Sequence, residues 1–356
     1  MNSITQKLVF LCLVFLLSAC ATLRPPKPAP PPEPAHLRLS QFEHIPGWYS
    51  DAFIEVWPAF LKSCQRTPSW VRQTVCSRAG ALAPSAPDEV RAFFEAHFLP
   101  YQVIDSAGYR DGLITGYYEP LLFGSRTPTD RYRYPLYKKP DNLANLASTH
   151  AEPLSRADID GPTQPLKGYE LLWVDDAIDL FFLHIQGSGK VALESDEIVS
   201  VGYAGQNGYP YVAIGKLLIE DGELSRESVN MPNIKAWLRN NPEKTTGVLN
   251  RNPSYIFFRE LLAGLSGPIG ALGVPLTGGR SIAVDPAFIP LGAPVFLDTT
   301  WPGTTNPLQR LTIAQDTGGA IKGAVRADFF WGFGPQAEDY AGRMKETGRI
   351  WVLLPR

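Results

Sequence analysis

The stretch LTIAQDTGGAIKGAVRADFFWG, residues 311–332, decides how the chain is read. It opens on an apolar run, Leu311 to Ala314, with the character of a strand. The run stops at Asp316, and Thr317-Gly318-Gly319 makes a turn. Asp328 then stands between Ala327 and the aromatic trio Phe329, Phe330 and Trp331. The same texture extends outward. Gly278-Gly279 precedes an apolar run, Ser281 to Val284, that ends on Asp285. Pro294 to Leu297 reads as another strand. The chain closes on Arg349 to Leu354, where Ile350, Val352 and Leu354 alternate. A terminal strand of that kind is expected to be sewn into a sheet or barrel. The expected fold class is mainly β with some α.

Three aspartates, Asp285, Asp316 and Asp328, thus lie beside glycine, proline or aromatic residues. A carboxyl group held against apolar walls is desolvated, so its pKa rises and it can hold a proton near neutral pH. Aspartates also cap turns. For Asp285, before Pro286, and Asp316, before Thr317, that reading stands beside the functional one. Asp328, with its aromatic neighbours, is the better candidate for chemistry.

Upstream, Asp51 to Leu61 places Phe53, Ile54, Trp57, Phe60 and Leu61 at helical spacing. Ser85-Ala86-Pro87-Asp88 has the form of a capping box, and the helix behind it buries Val90, Phe93, Phe94 and Phe98. Tyr101 to Ile104, an Asp111-Gly112 turn and Leu113 to Tyr118 read as a hairpin. From Pro120 to Leu262 the texture changes. Short apolar runs appear at Tyr169 to Val174 and Leu180 to Ile185. Val212 to Ile219 reads as a helix stopped at Gly222, and Ile234 to Leu238 as a short helix. No internal repeat is evident.

A chain of 356 residues, with 31 glycines and 33 prolines, fits two strand-and-turn domains or one domain carrying an insertion. A net charge of -2 provides no basic field, so no nucleic-acid partner is expected. Lys7 and the apolar run Leu8 to Leu17 form a signal peptide, because the run reaches only about half of the ~30 Å hydrocarbon core. Leu17-Ser18-Ala19-Cys20 resembles a bacterial lipobox, which implies lipidation of Cys20 and anchoring to a lipid bilayer. Ala21 after the cysteine implies outer-membrane sorting. Pro25 to Pro34 is a stiff tether. Cys64 and Cys76 are expected to form a disulfide in an oxidising compartment, with two buried thiols as the alternative. His36, His44, His97, His150 and His184 are scattered and no Cys-x-x-Cys occurs, so no metal is expected. Ser188 lacks the nucleophile-elbow spacing. The glycine-rich segments lack the marks of a phosphate or dinucleotide loop, and no cofactor is expected.

Aromatic residues interleaved with amides and hydroxyls occur at Thr115 to Glu119, Gln186 to Gly189 and Tyr203 to Tyr209. Ring faces stack on sugar faces and amides read hydroxyls, although any one tyrosine also suits a core or turn.

The ordered segments TGYYEP, FFLHIQGSG, GYAGQNGYPY, IGKLLIEDGE, NPSYIFF, VPLTGGRSIAVD, QDTGGAIKG and ADFFWGFGP resemble the membrane-bound lytic transglycosylase A family. They run from Thr115 to the C-terminus, about two-thirds of the chain. The region before Tyr109 carries little of the resemblance. It implies a double-psi β-barrel from residues 37–119 and 263–356, whose C-terminal part is a three-aspartate (3D) domain. A β domain, residues 120–262, would be inserted, with a groove between the two. Residues 1–19 would be the signal and 20–36 the lipidated cysteine and tether.

The resemblance also implies a lytic exotransglycosylase, a lyase that cuts the β-1,4 bond between N-acetylmuramic acid and N-acetylglucosamine without water and leaves 1,6-anhydro ends. Asp328 would be the acid and then the base, Asp316 a supporting residue and Asp285 structural. Thr115, Tyr117, Gln186, Ser188 and Tyr203 would meet substrate. Peptidoglycan strands and a cell-wall synthesis or hydrolysis complex would be the partners, at the periplasmic face of the outer membrane. A muramidase using Asp316 or Glu119 as second carboxylate is the competing enzyme. A non-catalytic glycan-binding lipoprotein is the competing reading from another class.

Overall fold

Alternating apolar residues in the C-terminal quarter form strands, and their two faces meet two different cores. The computed structural model describes residues 36–66, 72–141, 153–262 and 264–356. The signal segment, Cys20 and the proline tether lie outside the described residues. One sheet of eight strands comprises β1 (His36–Leu39), β2 (Phe98–Ile104), β3 (Gly112–Glu119), β10 (Ser281–Val284), β11 (Pro294–Thr300), β12 (Pro307–Asp316), β13 (Arg326–Phe333) and β14 (Lys345–Pro355). Its order is β1-β2-β14-β11-β12-β10-β13-β3, and β14 also pairs with β3. The pairings β3-β13-β10-β12-β11-β14-β3 therefore close on themselves. Within that cycle β10–β12 and β13–β3 are parallel.

One face of these strands buries Ile114, Ile282, Val284, Val295, Leu297, Ala327, Phe329, Ile350 and Val352 together. The opposite face offers Phe296, Leu311, Ile313, Trp351 and Leu353 to an aromatic cluster from the N-terminal helices. Those helices are α1 (Trp57–Cys64), α2 (Ser77–Ala81) and α3 (Pro87–His97). Trp57 meets Phe93 edge to face at 4.9 Å, and Phe60 meets Phe94 at 5.1 Å. Cys64 and Cys76 are joined by a disulfide that spans a sequence separation of 12 and links α1 to the segment leading into α2. Closing a loop of that size should stabilise the fold by about 2–3 kcal/mol. A Cys64→Ser/Cys76→Ser variant is expected to unfold at correspondingly lower urea, and an unchanged midpoint would contradict this.

Two local expectations are corrected. β2 and β3 do not form a hairpin. Both pair with β14, β2 along Trp351–Pro355 and β3 along Lys345–Gly348. The Asp105 carboxylate accepts from the amides of Ala107 and Tyr109, at 2.9 and 2.8 Å, and folds the connection into a loop of its own. The long final strand then takes the two in succession. Ser85 does not cap α3 either. The N-cap is Ala86, and Ser85 donates instead to Glu89, from its amide at 2.8 Å and its hydroxyl at 3.3 Å.

The segment between β3 and β10 carries a six-stranded sheet. Its strands are β4 (Leu121–Ser125), β5 (Tyr134–Tyr137), β6 (Glu170–Val174), β7 (Ser188–Leu193), β8 (Ile198–Gln206) and β9 (Ile256–Glu260), in the order β5-β6-β4-β7-β8-β9. It also carries the helices α4 (Arg156–Ile159), α5 (Ala177–Gln186), α6 (Ile214–Glu220), α7 (Met231–Asn240) and α8 (Pro242–Asn250). Asp176 caps α5 by accepting from the amides of Ile178 and Asp179. Gly187, at φ 75°, ends α5 in the left-handed region and lets β7 begin at once. α9 (Pro335–Arg343) returns beside β3 and β13. Lys235 of α7 ties Asp179 of α5, at 2.8 Å, to Glu338 of α9, at 2.7 Å.

Candidate active site

Strand register assembles the site. Ala283 of β10 is the register partner of Asp316 on one side and of Asp328 on the other, and Asp328 is in turn opposite Thr115. Asp316, Asp328 and Thr115 therefore lie across one row of four adjacent strands. At ~4.8 Å per strand, the two aspartate backbones are about 10 Å apart. A register shift lets β12 accommodate Gln315 as an extra residue between Ala314 and Asp316. Bulges re-aim side chains. Here Gln315 turns into the core, where it meets Ser281, Ala59 and Ser63.

Each site side chain has identifiable partners. The Thr115 hydroxyl donates to Asp328 Oδ1 at 2.5 Å. Arg326, two residues before Asp328 and so on the same side of β13, donates from Nη2 to Thr115 Oγ1 at 2.8 Å. The Tyr117 phenol reaches Asp316 Oδ2 at 3.0 Å, while its ring lies 5.1 Å from that of Phe330. Asp316 Oδ1 accepts from the amides of Ala271 and Thr317, both at 2.9 Å.

These surroundings set the charges. Asp328 is half-buried, so one side remains open while protein surrounds the rest. Desolvation raises its pKa to about 6, against the lowering pull of the Thr115 hydrogen bond and of Arg326. Nearby Asp316 adds to the rise. Asp316 is also raised by burial, but its hydrogen bonds from Ala271, Thr317 and Tyr117 oppose the shift. Burial and both aspartates push the Tyr117 phenol well above its ordinary value, so it stays a neutral donor.

The other expected residues are less closely gathered. Gln186, at the end of α5, accepts from the Tyr118 amide at 3.2 Å, which brings it beside β3. Ser188 opens β7, and half-exposed Tyr203 lies on β8, both on the sheet of the inserted segment rather than on the strands that carry the aspartates. Asp285 is buried and accepts from the amides of Ala287 at 3.2 Å and Gly323 at 3.0 Å, fastening the end of β10 to the loop before β13. Glu119 is 2% exposed, and Lys190 lies 3.5 Å from it. Burial raises the Glu119 pKa, and Lys190 opposes the rise. No cluster of three or more potential metal ligands occurs among the described residues. Sequence reading did not single out Arg326. The period of two along a strand, counted back from Asp328, is the signal that would have found it.

The fold and site define a 3D-domain protein with an insertion. A model of the 3D domain matches residues 280–354, and a model of the MltA specific insert domain matches residues 113–259. The membrane-bound lytic murein transglycosylase A of Vibrio cholerae is 37% identical over 251 residues, which cover 68% of this chain and 65% of that relative's length. A lytic transglycosylase, LtgG, of Burkholderia pseudomallei is 46% identical, with a TM-score of 0.66 over 92% of this chain and 100% of that one. E. coli MltA with bound chitohexaose is 28% identical, with a TM-score of 0.73 over 93% of this chain and 97% of that one. The chain belongs to the membrane-bound lytic murein transglycosylase A family.

Proposed function

We propose that this protein is a lytic transglycosylase of peptidoglycan. It cleaves the β-1,4 bond between N-acetylmuramic acid and N-acetylglucosamine, without water, in wall turnover and remodelling. The observation that carries the reading is the row that sets half-buried Asp328 level with Asp316 and hydrogen-bonds it to Thr115, where desolvation raises its pKa to about 6. In its acid form Asp328 protonates the glycosidic oxygen as the bond to C1 breaks. Its carboxylate then takes the proton from the muramyl 6-hydroxyl as O6 bonds to C1. One group thus serves both steps, and the 1,6-anhydro ring closes with no water consumed. Neutral Tyr117 and the half-buried Asp316 lie beside the place where positive charge develops at C1. Asp316→Asn is expected to impair turnover less completely than loss of Asp328.

Six strands with closed pairings support the double-psi β-barrel, and residues 120–262 are its insertion. The glycan lies in the groove between the two. Binding of chitohexaose by the E. coli relative supports a groove of oligosaccharide size. Gln186, Ser188 and Tyr203 contact substrate from the insertion. Cys20 is lipidated, and the tether from Pro25 to Pro34 lets the enzyme reach the wall from the periplasmic face of the outer membrane. A cell-wall synthesis or hydrolysis complex would supply its protein partners.

A muramidase needs a second carboxylate to activate water. Asp316 already accepts three hydrogen bonds, and Glu119 is buried beside Lys190, which favours the water-free reaction. A purely glycan-binding protein would have no use for an acid poised near neutrality. The poise is tested by the pH dependence of muropeptide release from isolated sacculi. Activity that requires protonated Asp328 should fall about tenfold per pH unit above about 6. A rate that stays flat to pH 8 and beyond would count against it.

A further inference from the structure

The protons around Asp328 can be followed one at a time. The Arg326 guanidinium has donors only and cannot accept. It is held by Nη1, which donates to the carbonyl oxygens of Ala327 at 2.5 Å and Leu113 at 3.3 Å. Its Nη2 points at Thr115 Oγ1, so that oxygen must accept. A threonine hydroxyl carries one proton. Arg326 takes one of the oxygen's two lone pairs, and the acceptor within hydrogen-bond distance of that proton among the described residues is Asp328 Oδ1, at 2.5 Å. An oxygen that already receives this proton is disfavoured as the seat of the acid proton, which therefore resides on Oδ2.

We propose that Arg326 is a positioning residue that acts through Thr115. It fixes the direction of the Thr115–Asp328 hydrogen bond and thereby selects the oxygen of Asp328 that carries the catalytic proton. The inference rests on the acid/base reading of Asp328 given above. The chain Arg326–Thr115–Asp328 also stabilises the carboxylate left after the proton has gone, by a charge-assisted hydrogen bond at one remove. Thr115 is accordingly an intermediary, with its proton and a lone pair both committed within the protein.

Four variants of the full chain, assayed by muropeptide release across pH, test this. Arg326→Met removes the donor and the charge. Its plateau rate should fall about 10–100-fold, and the alkaline limb should move up by about half a unit to one unit. Arg326→Gln keeps an N–H donor without the charge. It should recover much of the plateau while keeping the shifted limb. Thr115→Val should lose a similar factor, and Arg326→Met/Thr115→Val should lose little more than Thr115→Val alone, because both changes break one chain. Additive losses, or a limb that stays in place in both Arg326 variants, would overturn the proposal. Asp328→Asn in the same assay separates the two levels. If it is inactive while the Arg326 variants behave as wild type, only the positioning role fails. If it remains active, the acid/base reading fails first.

Discussion

Asp328→Asn should fold, bind glycan and release essentially no muropeptide. Asparagine is nearly isosteric, and its side-chain oxygen can still accept from Thr115, so the link to Arg326 survives. What is lost is a proton that can leave and return. A positioned acid or base contributes about 10²–10⁴-fold. Both steps depend on this group, so turnover should drop by about 10³-fold or more. Stability should move the other way. The folded-state pKa of Asp328 is raised, to about 6, so between its unfolded value and about 6 the folded protein binds more protons than the unfolded chain. Stability contributed at this site therefore falls as pH rises through that window and levels off above it. The neutral amide escapes the penalty. At pH 7 Asp328→Asn should be more stable than wild type by about 1–2 kcal/mol, after allowance for solvent around a half-buried group. The advantage should shrink below about pH 4. Paired melting curves at the two pH values check the sign. A variant less stable at pH 7 would mean that the carboxylate is favourably solvated in the fold.

The second large effect is expected far from substrate, at Arg280. Its side chain and that of Asp51 are each 2% exposed, and Nη1 meets Asp51 Oδ2 at 2.9 Å. The same guanidinium donates to Glu55, at 2.9 and 3.2 Å, and to the carbonyl oxygens of Ala52 and Leu311, both at 3.0 Å. Asp51 also accepts from the Leu311 amide at 2.7 Å. The cluster pins the N-terminal segment to the strands on which Asp316 and Ala283 lie. Arg280→Met would leave Asp51 ionised and buried without its partner, and losing one member of such a pair costs about 3–5 kcal/mol. Arg280→Met/Asp51→Leu should recover much of the loss, because no charge is then stranded. Urea denaturation at neutral pH distinguishes the cases. A single variant within about 1 kcal/mol of wild type would contradict a buried, unscreened pair.

Sequence revealed strands where both faces are buried and the apolar residues form a continuous run. β10, β11, β12 and β14 were legible as the runs Ser281 to Val284, Pro294 to Leu297, Leu311 to Ala314 and Arg349 to Leu354, whose side chains divide between the two cores. β13 was not assigned as a strand, although its Ala327 and Phe329 enter one of the same cores. Charged Arg326 and Asp328 interrupt it, so no continuous apolar run of the kind that marks the other strands appears in the string. The β2–β3 hairpin was misread because local turn chemistry cannot reveal that both strands pair with the distant β14. The aspartates were found through their glycine, proline and aromatic neighbours and given roles by the ordered motifs, whereas their geometry was hidden. Nothing in the string Ala314-Gln315-Asp316 announces the extra residue that sets Asp316 level with Ala283. The pairing of Glu119 with Lys190 depends on a contact between β3 and β7 that no local pattern encodes.

In the proposed reaction one carboxyl group acts as acid and then as base without water. Mass spectrometry of the muropeptides released by the full chain from isolated sacculi tests it most directly. The expected products are 1,6-anhydromuramic acid ends, one water lighter than hydrolysed ends, throughout the released material, with no such release by Asp328→Asn. Reducing muramic acid ends as the main product would contradict it.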